Sequence, residues 1–407
     1  MTRHPPPVSH ILVSDGEQRS ALAIVRSLGR AGHTVSVCSA RARPLAGASR
    51  YCRAAYRVTD PRVDPVRYRD DVQAIVEREG IEVVIPATDT SALPLLALRA
   101  AGCRATVAFP DEHSYLAVSD KRSLLDVARS LGVATPAQVV LETIDADRSP
   151  AHTFAREQVF DVVLKPARSA VLADGAVSKL GVMLVRTEGD YHNALDTLPA
   201  AAYPLLVQQR ISGPGLGVFM LTRSGECVAS FGHRRIREKP PTGGVSVYRE
   251  SVSLRDDVRR AAESILGHYA WSGVAMVEFK EDAATGVPYL MEVNGRFWGS
   301  LQLAIDSGVD FPDLLVRVTL GEAVAPVTSY RTGLRSRWLW GDVDHLLWVL
   351  LRGGAHRAAH PEIPSAFRAI GRFMIPWRPG DRLEILRASD PRPFLRESVQ
   401  WVRAVLD

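Results

Sequence analysis

Short apolar runs alternate with amphipathic stretches in the first part of the chain. An apolar run at 11–13 ends at Asp15-Gly16, and apolar residues then recur at helical spacing from Leu22 onward. Further strands are predicted at 34–38, 83–85 and 106–109, and further helices at 66–79 and 91–100. Strands that alternate with helices favour a parallel sheet covered on both faces. The pattern therefore predicts a Rossmann-like α/β domain over residues 1–110.

The turn after the first strand lacks a dinucleotide-binding fingerprint. Its sequence, SDGEQRSA, holds one glycine where G-x-G-x-x-G needs three, which argues against NAD or FAD. No G-x-S-x-G elbow occurs in the chain, so a serine-hydrolase reading has no support.

The remainder of the chain divides into three segments. These segments are 111–205, 206–325 and 326–407. The first holds a predicted helix at 120–131 and a predicted strand at 161–164 that runs into Lys165. The second is predicted to be an α+β lobe with a helix at 255–269 and a hairpin at 274–294. The third holds five of the seven tryptophans and is predicted to be a small helical extension, in which HLLWVLLRGG forms a buried helix.

Composition and charge exclude several classes of protein. The 407 residues carry a formal net charge of +5, which suits phosphate-bearing ligands but gives weak support for nucleic-acid binding. None of the 4 cysteines has CxxC spacing, so neither a disulfide framework nor a zinc site is expected, and a reducing compartment fits. The start, MTRHPPPVSH, lacks the apolar core of a signal peptide, and no run approaches the roughly 20 apolar residues of a membrane span. We expect a cytoplasmic protein that binds neither membrane nor nucleic acid.

The predicted hairpin sorts its side chains by polarity in one register. Two β-like runs flank a turn at Thr285-Gly286. In the register that sorts the side chains, Glu278 of the first strand lies opposite Glu292 of the second. The same register pairs Val277 with Val293 and Phe279 with Met291. The apolar face then holds Ala275, Val277, Phe279, Tyr289, Met291 and Val293. The polar face holds Met276, Glu278, Lys280, Leu290, Glu292, Asn294 and Arg296. A slip of one residue would mix the two sets.

The polar face of this hairpin carries the chemistry of a divalent-cation site. Directly opposed carboxylates repel each other, and their β-carbons lie only about 5 Å apart, so Glu278 and Glu292 need a compensating charge. Magnesium is bound by one or two carboxylates and completes its shell with phosphate oxygens and water. Asn294 offers a further oxygen along the same strand, and the Arg296 fork can hold a phosphate or a carboxylate.

These residues resemble the metal-binding signature of the ATP-grasp superfamily, in which a Glu is followed by Glu-x-Asn-x-Arg. The blocks SDKRSLL and VVLKPA supply Lys121 and Lys165, which match the two lysines that approach the ATP phosphates in that family. The block LLVQQRISG matches the strand against which adenine lies. The resemblance covers roughly residues 10–325 and implies a two-lobed ATP-grasp domain after the Rossmann-like domain, with a small C-terminal appendage.

The resemblance assigns roles to individual residues. The implied metal ligands are Glu278, Glu292 and Asn294. The implied nucleotide contacts are Lys121, Lys165, Gln208, Gln209, Arg210 and Ile211, with the Gln208 side chain on adenine and the backbone near Ile211 at the ring edge. The implied catalytic residues are Arg296, Arg235, Arg234 and Lys165.

Three departures from the family pattern concern the nucleotide contacts. Gln208-Gln209 stands where the family often has Glu, and Gly215 stands where an acid often contacts ribose. The loop after Lys165 is less glycine-dense than many phosphate-covering loops.

The block FGHRRIREKPPTGGVSVYRES resembles a subset of ATP-grasp proteins. Four of its basic residues, namely His233, Arg234, Arg235 and Arg237, stand at the end of a β-rich run. Arginines here could neutralise the transferring phosphoryl group or anchor a substrate carboxylate, or they could form a solvated loop. Since side chains alternate along a strand, Arg234 and Arg235 should point to opposite faces, so only one of the two reaches the site.

By resemblance, the chain is expected to be an ATP-dependent carboxylate–amine ligase that forms an acyl phosphate and then an amide. The implied cofactors are ATP and two Mg²⁺ ions, with Mn²⁺ as a substitute, and a homodimer is consistent with the family. The substrates are expected to be a small carboxylate and an amine, of amino-acid or peptide type. Three alternatives stay open: a biotin-carboxylase-like enzyme, a kinase-like ATP-grasp enzyme, and a non-catalytic nucleotide-binding regulator.

Overall fold

A computed structural model describes most of the chain. The described residues are 8–168, 170–173, 176–241, 243–327, 329–357, 363–374 and 380–406. Residues 1–7, on which the prediction of no signal peptide partly rests, lie outside the described residues. Three positions of the loop after Lys165, namely 169, 174 and 175, also lie outside the described residues.

The N-terminal domain is a parallel sheet with helices on its faces, as the sequence predicts. Its elements are β1 (His10–Val13), α1 (Arg19–Arg30), β2 (Thr34–Ser39), β3 (Cys52–Arg57), α2 (Pro65–Glu79), β4 (Val83–Ile85), α3 (Asp89–Ala100) and β5 (Thr106–Val107). The strand order is β3-β2-β1-β4-β5. Helix α2 is bounded by an Asp64 cap and by Gly80 in the left-handed conformation. The loops after β1 and β4 lie at the same edge of the sheet, where the strand order reverses.

The next segment builds a small antiparallel sheet with helices packed against it. Its elements are α4 (Glu112–Ser119), α5 (Lys121–Ser130), β6 (Gln138–Leu141), α6 (Ser149–Glu157), β7 (Val162–Pro166), β8 (Ala170–Ala173), β9 (Ala176–Lys179), β10 (Met183–Val185), α7 (Glu188–Thr197) and β11 (Leu205–Gln209). The strand order is β10-β7-β11-β6, and β8 and β9 pair as a separate hairpin. We refer to the four-stranded sheet with α6 and α7 as the first lobe.

The second lobe is a larger, mostly antiparallel sheet. Its elements are β12 (Gly215–Arg223), β13 (Glu226–Lys239), β14 (Val245–Ser251), α8 (Asp256–His268), β15 (Gly273–Glu281), β16 (Pro288–Asn294), α9 (Leu301–Ser307) and α10 (Phe311–Thr319). The β16-β15-β12-β13-β14 run continues into two short strands from the C-terminal segment. Central strand β12 is buried along most of its length, which fixes β13 and β15 on its two sides.

The C-terminal segment is not purely helical. It contains β17 (Arg335–Arg337), α11 (Leu339–His356), α12 (Ala366–Met374), β18 (Arg382–Leu383) and α13 (Arg392–Leu406), and its two strands extend the second-lobe sheet. The HLLWVLLRGG helix is confirmed as part of α11, but it is not buried throughout. Val349 is buried, whereas Leu351 is 80% exposed, because only one face of α11 packs on the protein. Every helix in the described residues is too short or too polar to cross a lipid bilayer.

Buried ion pairs attach this segment to the rest of the protein. Asp390 accepts a 2.9 Å bond from Arg26 of α1, and the pair is almost fully buried. Glu384 contacts both Arg19 of α1 and Arg249 of β14. The C-terminal segment therefore connects the N-terminal domain with the second lobe, and removing one partner of such a pair should be costly.

Glu397 of α13 gives the protein a pH-dependent stability. Its Oε1 accepts a 2.7 Å bond from Trp338 Nε1, while its Oε2 is buried with no partner in the described residues. Burial raises the pKa of this carboxyl from 4.5 to about 7. Because the pKa is higher in the folded state, the folded protein loses stability as the pH rises from about 4.5 to about 7.

Glu397→Gln should therefore stabilise the protein at high pH and leave it unchanged at low pH. The expected gain is at most about 3 kcal/mol near pH 8 and close to zero near pH 4. Urea unfolding at both pH values measures the difference, with Glu226→Gln, an exposed acid on β13, as the control. An equal effect of Glu397→Gln at both pH values would contradict the assignment.

Candidate active site

The hairpin of β15 and β16 has the predicted register at its acidic pair. Glu278 lies opposite Glu292, and Val277 lies opposite Val293. The prediction is wrong one step further along, because a β-bulge pairs Phe279 with Leu290 instead of Met291. Met291 is the extra residue of the bulge, so Leu290 and Met291 point to the faces of the sheet opposite to those predicted. Leu290 is thus buried in the core with Phe279, and Met291 turns toward a cleft.

The two carboxylates differ in their electrostatic surroundings. Burial raises the pKa of Glu278, although Arg235 opposes that effect. Burial also acts on Glu292, but Lys121, the Asn294 amide, Lys165 and Arg296 together bring the pKa of Glu292 below its usual value. Glu292 therefore keeps its negative charge readily, whereas Glu278 depends on a nearby cation.

The two predicted lysines converge on Glu292 from different elements. Lys121 opens α5 after the Asp120 cap and is buried, with its Nζ 3.8 Å from Glu292 Oε2. Its backbone N–H donates to the Ala167 carbonyl, which ties α5 to the end of β7. Lys165 lies on β7 and lines the cleft. Burial lowers the pKa of Lys165, and Glu292 acts in the opposite direction.

Only one of the two adjacent arginines reaches the carboxylates, as strand alternation predicts. Arg235 lies 2.7 Å from Glu278 and 2.9 Å from Glu238. These acids keep the pKa of Arg235 raised despite its burial. Arg234 turns the other way and binds Glu250 at 2.6 Å, so it is not part of this cluster.

The other two predicted basic residues of this segment, Arg237 and His233, have structural contacts of their own. Arg237 forms two 2.6 Å hydrogen bonds with Asp342 of α11. His233 is buried and packs edge-on against Phe219, with ring centroids 4.6 Å apart. Burial lowers the pKa of His233, which favours the neutral imidazole.

Arg296 connects the hairpin to the N-terminal domain. Its Nη2 donates to Asn294 Oδ1 at 3.1 Å, and its Nε donates to Asp89 at 3.1 Å. Asn294 in turn donates to Glu292 at 2.9 Å, so the three residues of the E-x-N-x-R motif are hydrogen-bonded in series. Asp89 was missed at the sequence level. The available signal was its position just after β4, at the sheet edge where α/β domains bind ligands.

The predicted nucleotide-binding strand lies along the same cleft. The Gln208 side chain donates to Gln138 at 3.1 Å, and Arg210 pairs with Asp161 at 3.1 Å. The Ile211 carbonyl accepts a 3.2 Å bond from Lys280 Nζ. Lys280, on the predicted polar face of the hairpin, therefore joins the segment after β11 to the hairpin of β15 and β16. Gln209 also lines the cleft, and its Oε1 accepts a bond from the Ala137 N–H at 3.4 Å.

The cleft between the lobes has a volume of about 1430 Å³. This exceeds the roughly 300–1,000 Å³ of a typical small-molecule pocket, so it has room for a nucleotide and a second ligand. Its floor carries Lys165, Glu278 and Glu292. Part of its wall comes from the C-terminal segment. Those wall residues are His345, His356, Pro364, Ala369 and Arg372.

Comparisons with known proteins agree with this architecture. Residues 201–341 match a family described as ATP-grasp in the biosynthetic pathway with Ter operon. A comparison with curated proteins found no match. Biotin carboxylase from Campylobacter jejuni is similar at 17% identity over 81% of this chain and 74% of that one, with a TM-score of 0.62.

Two further solved structures are similar over most of their length. N5-carboxyaminoimidazole synthetase from Staphylococcus aureus shares 12% identity over 89% of each chain, with a TM-score of 0.64. L-amino acid ligase from Bacillus licheniformis shares 16% identity over 80% of this chain and 76% of that chain, with a TM-score of 0.56. At these identities the similarity establishes the fold, and it confirms the fold class expected from the sequence.

Proposed function

Since the chain has the ATP-grasp fold, we propose that it is an ATP-dependent ligase that joins a carboxylate to an amine and releases ADP and phosphate. The observation that carries this proposal is the opposition of Glu278 and Glu292 at the floor of a cleft that also contains Lys165. Two carboxylates surrounded by cationic side chains suit a magnesium–nucleotide complex better than a purely structural role. One of the similar structures is an L-amino acid ligase, which supports the same class of reaction.

The donor atoms at the hairpin fit magnesium. Glu278, Glu292 and Asn294 offer only oxygen ligands, and the two carboxylates are close enough to share ions. Manganese accepts the same donors, so it should substitute for magnesium. Two ions bound here would neutralise the β- and γ-phosphates of ATP. Arg235 adds a further positive charge beside Glu278.

The nucleotide would lie along β11 with its phosphates toward the hairpin. Lys165 and Lys121 are placed to hold phosphate oxygens, because both lie near Glu292. Backbone and side-chain atoms of the β11 end would contact adenine. The proposed contacts there are Gln208, Gln209, Arg210 and Ile211.

The proposed reaction proceeds in two transfers. An oxygen of the substrate carboxylate attacks the γ-phosphorus, the bond to ADP breaks, and an acyl phosphate forms. The amine nitrogen then attacks the acyl carbon, a proton leaves the nitrogen, and phosphate departs. Arg296 would stabilise the negative charge on the acyl oxygen, and Asp89 holds its guanidinium in place.

The C-terminal segment would form one wall of the substrate site. Residues of α11 and α12 line the cleft beside the basic block, and the Asp342 contacts of Arg237 and Arg337 fix that wall to the second-lobe sheet. A wall formed by this segment would restrict the size of the acid or the amine. We therefore assign the segment a role in substrate selection.

Lys165→Met should reduce turnover by about 100-fold or more, because the variant loses a phosphate-directed cation inside the cleft. The matched control is Lys239→Met. Lys239 is a partly exposed lysine of β13 that pairs with Asp344. ATP consumption under saturating substrate measures both variants. Similar rates for Lys165→Met and the wild type would remove Lys165 from the mechanism.

The proposal is tested by phosphate release from Mg-ATP with pools of carboxylic acids and amines, followed by mass spectrometry of the products. An amide product that requires both an acid and an amine supports the ligase. Bicarbonate-dependent ATP cleavage would instead indicate a biotin-carboxylase-like enzyme. A phosphoester formed without free phosphate would indicate a kinase-like enzyme, and nucleotide binding without turnover would indicate a regulator.

A further inference from the structure

Two histidines and a glutamate meet on the surface of the first lobe. His152 lies on α6, and Glu188 and His192 lie on α7. One ligand atom from each residue lies within 4.8 Å of the other two. Glu188 and His192 are four residues apart, so they share one face of α7, and that face is turned toward His152. The cluster is formed by the packing of the two helices.

The ligand set of this cluster differs from that of the hairpin. It offers two imidazole nitrogens and one carboxylate oxygen, which suit zinc and its neighbours in the first transition series, whereas magnesium prefers oxygen alone. Zinc holds such ligands at about 2.0–2.2 Å. Ligand atoms that are already within 4.8 Å of one another can reach a common ion through small side-chain rotations.

Aromatic packing restricts the orientation of the key imidazole. The His152 ring packs against Phe160 and Tyr191, with centroid distances of 5.7 and 5.9 Å. It also stacks on the His192 ring at 5.3 Å, and its Nε2 lies 2.8 Å from Glu188 Oε1. A ligand held by its neighbours loses less conformational entropy when an ion binds. Glu188 is 53% exposed, so an ion can enter from solvent.

We propose that His152, Glu188 and His192 bind a zinc-type dication, with water completing its coordination. Local sequence patterns do not reveal this site, because the expectation of no zinc rested on cysteine spacing. The bound ion would join α6 to α7. Thr187 and Asp190, beside Glu188 at the start of α7, line the cleft between the lobes. A bound ion would therefore stabilise one wall of that cleft.

The test is a calorimetric titration of Zn²⁺ into the untagged full-length protein with excess Mg²⁺, which occupies the oxygen-only site. Wild-type protein should bind one Zn²⁺ per chain, and Co²⁺ should give visible absorption bands from nitrogen and oxygen ligands. His192→Ala should weaken Zn²⁺ binding by about 100-fold, because one protein ligand of the ion is lost. Glu188→Gln, at a half-exposed surface position, should weaken binding as well without disturbing the fold.

The matched control is His268→Ala, which removes another exposed histidine at a helix end beside an aromatic ring, Tyr269. This variant should bind Zn²⁺ as the wild type does. The proposal is overturned if wild-type protein binds no Zn²⁺ under these conditions. It is equally overturned if Glu188→Gln and His192→Ala bind Zn²⁺ with wild-type affinity. Since none of these measurements requires turnover, they stand independently of the proposed ligase function.

Discussion

Glu292→Gln is expected to lower turnover by at least about 1,000-fold while leaving the fold intact. The substitution keeps the size of the side chain and its ability to accept a hydrogen bond from Asn294, but it removes the charge. Lys121 would lose its pairing with Glu292, and Lys165 would lose the carboxylate that opposes the effect of its burial. Phosphate release with an active acid and amine pair measures the loss, and circular dichroism checks the fold.

The matched control for this variant is Glu281→Gln. Glu281 lies on the same hairpin, at the end of β15, and pairs with Arg255 at the surface. Its replacement should leave turnover close to the wild-type rate. Wild-type turnover in Glu292→Gln would show that the acidic pair does not hold the catalytic metal.

Arg235→Met is expected to destabilise the nucleotide-free protein by about 3 kcal/mol or more. Without the guanidinium, Glu278 would remain largely buried opposite Glu292 without its ion-pair partner Arg235, and Glu238 would lose Arg235 as well. Magnesium with a non-hydrolysable ATP analogue should recover part of the loss, because bound cations replace the missing charge. Thermal unfolding with and without the ligand measures both effects.

The adjacent Arg234→Met provides the comparison. Arg234 is more than half exposed and pairs with Glu250 on the other face of β13, and Arg335 keeps that acid neutralised. Its loss should cost less than about 1 kcal/mol and should not depend on the nucleotide. Equal destabilisation by the two substitutions would contradict the role given to Arg235.

The sequence was sufficient for the part of the site that local alternation determines. The opposition of Glu278 and Glu292 followed from a single register that sorted polar from apolar residues, and the structure has that register. The bulge at Met291 could not be predicted from the sequence. Beyond the acidic pair, the alternation of polar and apolar residues does not distinguish a regular strand from one with a single extra residue. Side-chain alternation predicts that only one of Arg234 and Arg235 faces the cleft. Which of the two does so depends on the orientation of β13 relative to the cleft, and local sequence does not determine that orientation.

Local sequence patterns do not predict contacts between distant parts of the chain. Asp89 meets Arg296 only because the N-terminal domain packs beside the hairpin, and neither residue signals the other in sequence. The strands β17 and β18 are only 3 and 2 residues long, too short to show an alternating pattern, so the C-terminal segment looked helical. The placement of that segment depends on buried pairs such as Arg26 with Asp390.

The most direct test of the central claim is calorimetric binding of a non-hydrolysable ATP analogue, with and without Mg²⁺, to wild-type protein and to Glu292→Gln. If the acidic pair holds a magnesium–nucleotide complex, the wild type binds the analogue at least about 10-fold more tightly with Mg²⁺, and the variant loses most of that gain. Binding that is independent of Mg²⁺ in the wild type, or a gain that survives in Glu292→Gln, would contradict the account.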